Sequence, residues 1–308
     1  MARFTDASKY EILFDKPSGE YDKREIGGIS TTTIRAGESL EVEAFPIVRI
    51  DDGAKREKQA RRTSRWQEEV NLRNTRKKVR RIAEATFTEE DIFWTGTYAY
   101  PRYDPGFANR GEILREMQEN GCPEDDSDVR KDFKNFLRAV KRRVKAMGND
   151  PKEVKYLYVI ESSHEPKEGE QEPLPAHYHI HALLHAPGLS RADIEAIWQK
   201  GYSNSKQLDF SCDGLTGLSK YLTKQRRCVR RWACSRNCRQ PEIKKSCRKI
   251  SRRRAAEIAA DVQHRGREIF EGLYPGYRAE EVVVKYSDFI AGAYIYARMR
   301  KIRDPRRR

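Results

Sequence analysis

Long apolar runs are missing from this chain. The longest candidate, Phe289 to Ala297, is interrupted by Gly292 and falls well short of the roughly 18 apolar residues that a membrane-spanning helix needs. The opening residues, MARFTDASKYEILF, lack the apolar core and small-residue cleavage site of a secretory signal, so a cytoplasmic location with reduced thiols is expected. Cysteines are few, six in 308 residues, and none form C-x2-C. Cys228, Cys234, Cys238 and Cys247 follow a looser C-x5-C-x3-C-x8-C spacing, which favours buried thiols over a zinc module. Cys122 and Cys212 read as ordinary fillers. A GxxxxGK[ST] loop is also absent, which argues against a nucleotide-driven motor. Acid is scarce relative to base: Lys+Arg 62 against Asp+Glu 47 gives +15 and a pI near 9.5. Such an excess points to a polyanionic partner.

What is present can build a core, since 37% of the residues are hydrophobic and the length suits one large domain or two ordinary ones. ISTTTIRAG and SLEVEAFPIVRI alternate β-branched residues and read as a two-stranded arm joined at Gly37 and Glu38. Ala54 to Arg81 reads as a basic helix with a weak apolar stripe at Trp66, Val70, Leu72 and Val79. Ile92 to Tyr98 is aromatic and β-branched, a strand ending before Pro101. Val129, Phe133, Phe136, Leu137, Val140, Val144 and Met147 recur at helical spacing behind a cap at Ser127 or Asp128, with Gly148 and Asn149 as the stop. Strands Val154–Ser162 and His177–His185 then form a hairpin, Ser190 caps a helix to Lys200, and Gln207–Ser211 alternates as a strand. Leu215–Gln225 is helical. The order βαββαβ is that of a split βαβ, a ferredoxin-like α+β domain whose antiparallel sheet has helices on one face. From Arg226 to Arg254 only Glu242 opposes the cations, which include Arg252, Arg253 and Arg254, and Val282 to Arg308 resumes helical spacing. The boundaries expected are 1–85 (strand arm and basic helix), 86–241 (the patterned domain) and 242–308 (a basic helical region).

Four of the six histidines, His177, His179, His181 and His185, lie in one strand. Alternation puts the first three on one face, with successive Cα atoms about 7 Å apart, close enough to converge on one metal ion or anion. Glu161 ends the apolar run of the preceding strand and is the natural carboxylate beside them, adding the hard oxygen donor that divalent ions prefer. On the Leu215 helix, Tyr221 and Lys224 stand three residues apart on one face. A phenol beside an ammonium suits attack on a phosphodiester.

These residues in this order resemble a known family. Phe93-Trp94-Thr95-Gly96-Thr97-Tyr98, then an HUH pattern (U is hydrophobic) at His179-Ile180-His181, then Tyr221-Leu222-Thr223-Lys224 are similar to the three motifs of HUH-superfamily rolling-circle replication initiation proteins. Glu69-Val70-Asn71-Leu72-Arg73, Phe87, Asp91, and Ser235-Arg236-Asn237 before Pro241 resemble the bacterial plasmid and filamentous-phage gene II type. The resemblance implies a site-specific, metal-dependent DNA endonuclease: Tyr221 as nucleophile forming a 5′-phosphotyrosyl bond and freeing a 3′-hydroxyl, Lys224 as its companion, and Glu161, His179 and His181 holding Mg2+ or Mn2+. His177-Tyr178-His179 also satisfies the pattern, so the alternative pair His177 and His179 stays open. The implied partners are single-stranded or supercoiled origin DNA, with a host helicase and polymerase. Two departures stand out. Gly96 replaces a commonly bulky apolar residue, which would thin the packing beneath the site. Gln225 occupies the place of a second tyrosine, which favours a single-tyrosine mechanism. An HUH transposase or relaxase, or a non-catalytic DNA-binding replication regulator, are the competing readings.

Overall fold

The computed structural model of the 308-residue chain describes residues 2–3, 26–50, 65–101, 110–162, 176–210, 215, 232–286 and 293–302. In chain order the elements are β1 (Ala2–Arg3), β2 (Ile26–Ala36), β3 (Ser39–Ile50), α1 (Arg65–Thr86), β4 (Ile92–Thr97), α2 (Arg110–Glu119), α3 (Asp126–Ala146), β5 (Lys155–Ser162), β6 (Tyr178–His185), α4 (Arg191–Ile197), β7 (Ser203–Gln207), β8 (Trp232–Cys234), β9 (Glu242–Ser246), α5 (Arg252–Ala260), α6 (Arg265–Leu273), β10 (Tyr277–Tyr286) and β11 (Ala293–Lys301). The class is α+β, with two antiparallel sheets. The chain divides into two compact units, Thr86–Arg239 and the combination of Met1–Ala85 with Gln240–Arg308. No helix among the described residues is long and apolar enough to cross a membrane.

In the Thr86–Arg239 unit the strands lie in the order β7-β4-β6-β5-β8, every neighbour antiparallel. The chain visits the first four as strand, helix, strand, strand, helix, strand. Alternation sends Trp94, Ile160, Ile180, Ala182 and Leu184 to one face, where they pack on Val129, Phe133, Phe136, Val140 and Val144 of α3. Each large side chain buried there stabilises the unit by about 1.5–3 kcal/mol. The cap of α3 is Asp125, earlier than Ser127 or Asp128, because its carboxylate accepts the backbone N–H groups of both. Gly148, at φ +82, ends the helix as the sequence suggests. Ser190 caps α4 in a capping box with Asp193. The strand expected at Gln207–Ser211 instead ends at Gln207. Polar Ser203–Gln207 pairs with Ile92–Gly96 as a sheet edge, and such an edge needs no apolar alternation.

The second unit is a sheet ordered β10-β11-β3-β2-β9, with β1 paired to the far end of β3. The β2–β3 hairpin turns at Gly37 and Glu38 as expected. Gly37 takes φ +58, and a Cβ there would lie 2.2 Å from the backbone oxygen of Glu84. One sheet face, including Leu40, Val42, Ile295 and Met299, packs on Ile258 and Phe270 of α5 and α6. The tail departs from its expected helix: β10 and β11 form an antiparallel hairpin, and β11 pairs with β3. Most of Ala293–Met299 is buried on both strand faces, so its apolar residues form a continuous run that mimics helical spacing.

The basic helix also differs. Residues 54–64 lie outside the described residues, and α1 begins at Arg65. Its last turns do not present all their cations outward. Arg80 bonds Glu41, Arg81 reaches Glu41 at 2.6 Å and Glu43 at 2.9 Å, and Lys77 reaches Glu43 at 3.4 Å. Burial would raise the Glu41 carboxyl, but the guanidiniums of Arg81 and Arg80 outweigh it and hold it below the usual carboxylate range.

Candidate functional site

Since Tyr178, Ile180, Ala182 and Leu184 of β6 belong to the core on the α3 side, the intervening His179, His181 and His185 belong to the opposite face. His179 and His181 have ring centroids 6.4 Å apart and nearly parallel planes. β6 is central, and its two neighbours both contribute to these rings. On one side, Thr95 is in register with His181 and Thr97 with His179. Each threonine hydroxyl lies 3.1 Å from Nδ1 of its histidine. On the other side, Glu161 of β5 is in register with His179, yet its carboxylate reaches diagonally to Nε2 of His181 at 3.1 Å. Phe93 stacks on the His181 ring at 5.7 Å, and His181 is only 5% exposed.

Burial lowers the pKa of His179. The neighbouring His181 lowers it further, against a smaller opposing pull from Glu161. His179 therefore stays neutral near pH 7, the state in which an imidazole serves as acceptor or ligand. His177 departs from the single-face expectation. The strand starts at Tyr178, and the His177 ring stacks on Tyr100 at 4.1 Å. His185 is engaged elsewhere too. Its Nδ1 lies 2.6 Å from Oδ1 of buried Asp91, whose Oδ2 accepts the Thr88 backbone N–H at 2.7 Å, so this pair secures the turn entering β4.

Two imidazoles with Nδ1 already engaged and a carboxylate close by fit a divalent cation in donor type. In spacing they do not form a ready cage, and no group of three His, Cys, Asp or Glu among the described residues does so. Tyr221 and Lys224 lie outside the described residues, as do Cys212 and Cys228. Cys122, Cys234, Cys238 and Cys247 are free thiols. Cys238 is buried, with Sγ 3.4 Å from the Tyr156 carbonyl oxygen, as a packed thiol would be.

Gly96 does not thin the packing. A Cβ there would come within 2.3 Å of the Trp94 indole and 3.2 Å of Trp198, so aromatic rings already fill the space that a bulkier residue would take. Sequence reasoning missed Thr95 and Thr97. Their alternation in β4 is visible in the sequence, but the adjacency of β4 to β6 is needed to see which rings they touch. Ser235 and Asn237 serve the fold of this unit. The Ser235 N–H donates to the Tyr156 carbonyl at 2.8 Å, and Asn237 Nδ2 donates to the carbonyls of Lys152 and Val154 at 2.8 and 3.2 Å, which secures the start of β5.

Comparison with curated proteins and with solved structures returns no match. Residues 91–226, which hold β4, β5, β6 and the paired histidines, match the family model for the replication-associated protein of the ORF2 and gene II protein type, and this match supports a Rep-like protein of DNA replication.

Proposed function

We propose that this chain initiates rolling-circle replication by nicking DNA with Tyr221 at an HUH site. The observation that carries the proposal is the paired set on β6: His179 and His181, each held at Nδ1 by a β4 threonine, with Glu161 against Nε2 of His181. The antiparallel order β7-β4-β6-β5, reached through βαββαβ, supports a ferredoxin-like sheet with the histidines on the face away from α3. The match over residues 91–226 supports the replication context and runs through the Tyr221 and Lys224 positions.

In this reading Glu161, His179 and His181 would hold Mg2+ or Mn2+, which supplies Lewis-acid polarisation of the scissile phosphate. The Tyr221 phenol loses its proton as its oxygen bonds phosphorus, and the P–O3′ bond breaks. The departing 3′ oxygen takes up a proton and becomes the primer end. Lys224 offsets the charge that develops on the phenolate or the phosphoryl oxygens. A host helicase and polymerase would separate and extend the strands. With Gln225 one helical turn beyond, closure falls to a second protein copy or another nucleophile.

The test is peptide mapping of the covalent adduct trapped on supercoiled candidate origin DNA with Mg2+ or Mn2+. Attachment at Tyr221 is expected, with no adduct from Tyr221→Phe and a slower reaction from Lys224→Ala. His179→Ala and His181→Ala should both be inactive, with His177→Ala as the active control. An adduct on another residue refutes the assignment. An inactive His177→Ala beside an active His181→Ala moves the pair to His177 and His179.

A further inference from the structure

The cations after Gln240 collect at one edge of the second unit's sheet. Residues 242–257 hold seven cations and two acids, and the structure shows where they go. β9 is the outer strand on β2, with Lys244 in register with Thr33 and Glu242 with Arg35. Residues in register share a sheet face, and Thr33 bonds the Tyr274 hydroxyl at 2.7 Å on the side of α5 and α6. Lys249 Nζ sits 4.3 Å above the Tyr274 ring. Arg35, Lys244 and Lys249 thus gather around one buried tyrosine at the sheet edge. Glu242, the acid among them, is shared between Lys244 at 2.7 Å and Arg35 at 3.9 Å. Immediately afterwards Arg252, Arg253 and Arg254, all exposed, open α5.

Lysines on an edge strand have an ordinary explanation, protection against edge-to-edge pairing. It covers Lys244 and Lys245 but not the three arginines. The first turn of a helix disfavours positive charge, and α5 has no acid there. Three adjacent cations at that place cost stability, and a bound polyanion would offset that cost.

We infer that the β9 edge, with Arg35, Lys244, Lys249 and Arg252–Arg254, docks the phosphate backbone of duplex DNA. Duplex is favoured over a single strand because single-strand grooves interleave cations with aromatic rings on which bases stack. Here the nearest ring, Tyr274, is 3% exposed and already lies beneath Lys249. Phosphate contacts of this kind position a protein on DNA without reading sequence. This surface would hold duplex during the nick proposed above, but its evidence is independent of that chemistry.

The test uses the full chain without metal, measuring fluorescence anisotropy of a short random-sequence duplex and of the matching single strand across a salt series. Replacing Arg252, Arg253 and Arg254 together by Ala should lower the magnitude of the duplex slope of log K against log salt by roughly 2–3, at about 0.9 per lost phosphate contact. The single-strand slope should move much less. Replacing the same three by Lys should preserve the duplex slope, so a folding defect is distinguishable from lost charge. The Ala variant should also melt no lower than the parent. An unchanged duplex slope overturns the proposal, as does an equal change for both nucleic acids. Loss of binding to anionic lipid vesicles with an unchanged duplex slope would identify a membrane surface instead. Adduct formation on a saturating short oligonucleotide, run in parallel, reports on the nicking reading alone.

Discussion

Thr97 Oγ1 lies 3.1 Å from Nδ1 of His179, directly across the β4–β6 ladder, and Thr95 repeats the contact on His181. A hydroxyl can either donate or accept, so each threonine can satisfy its histidine in either tautomer. At His181 this matters, because Nε2 faces Glu161 at 3.1 Å. A proton on Nε2 donates to that carboxylate, whereas a cation there requires a lone pair on Nε2 and the proton on Nδ1.

Thr95→Val and Thr97→Val keep the side-chain shape and remove this adaptability. Each should weaken Mn2+ binding by about 10–100-fold, as loss of a ligand's outer hydrogen bond typically does, with thermal stability little changed. Calorimetric titration of Mn2+ measures this directly. Unaltered affinity in both variants would mean that backbone position alone orients the rings.

At Gly96 the neighbours are rigid. Trp94 stacks on Phe136 at 4.3 Å, meets Trp198 edge-on at 5.5 Å and donates from Nε1 to Ser203 at 2.8 Å. A methyl at position 96 cannot be accommodated by moving one flexible chain end, so Gly96→Ala should cost about 1–3 kcal/mol as an overpacking change. Chemical denaturation provides the measurement. A neutral result would show that the indole can shift freely.

How far the sequence reaches follows the character of each surface. β4, α3, β5 and β6 are legible because one face of each is apolar and recurs at the period of its element: Val129, Phe133, Phe136 and Val140 mark α3 unambiguously. β7 lies several residues before its expected position because SNSKQ at a sheet edge carries no such period. β11 reads as a helix because Tyr294 and Arg298 are buried on one side and Ile295 and Met299 on the other. The histidines and Glu161 are legible as a candidate set, as alternation and a hairpin suffice to bring them near. Thr95 and Thr97 are not, since they depend on β4 inserting between β6 and β7, a long-range choice that no local pattern records. For the same reason the charges of Arg80 and Arg81 read as outward-facing until β3 supplies their carboxylates.

Asn237 joins the start of β5 to the segment after β8 through its two donated bonds to the Lys152 and Val154 carbonyls. Asn237→Ala should destabilise the Thr86–Arg239 unit by about 0.5–1.5 kcal/mol for each hydrogen bond lost. Increased amide hydrogen exchange should be confined to the start of β5 and to β8. Exchange that rises evenly through the sheet would contradict a local role.

Glu41 and Glu84 are both buried glutamates of the second unit, and their opposite shifts predict opposite responses to acid. Glu41 is held below its ordinary value of 4.5: burial opposes ionisation, but Arg81 and Arg80 more than offset it. Its carboxylate therefore contributes stability that is full above pH 4.5 and lost as pH falls through its lowered pKa. Glu84 is raised above 4.5, burial outweighing the attraction of Arg80. The unfolded chain ionises it first, so Glu84 costs stability as pH rises from 4.5 through its raised pKa, and costs nothing below. Glu41→Gln should thus destabilise the protein at pH 7 by about 3–5 kcal/mol, since two buried guanidiniums lose their shared counter-charge, with the deficit shrinking in acid. Glu84→Gln should instead raise the melting temperature at pH 7 and leave it unchanged near pH 4. Thermal melts of both variants between pH 3.5 and 7, run as roughly half-unit steps so that each curve samples the ordinary carboxylate range, separate the two cases. A Glu84→Gln protein that melts lower than the parent at pH 7 would show that its pairing with Arg80 outweighs desolvation, reversing the sign argued here.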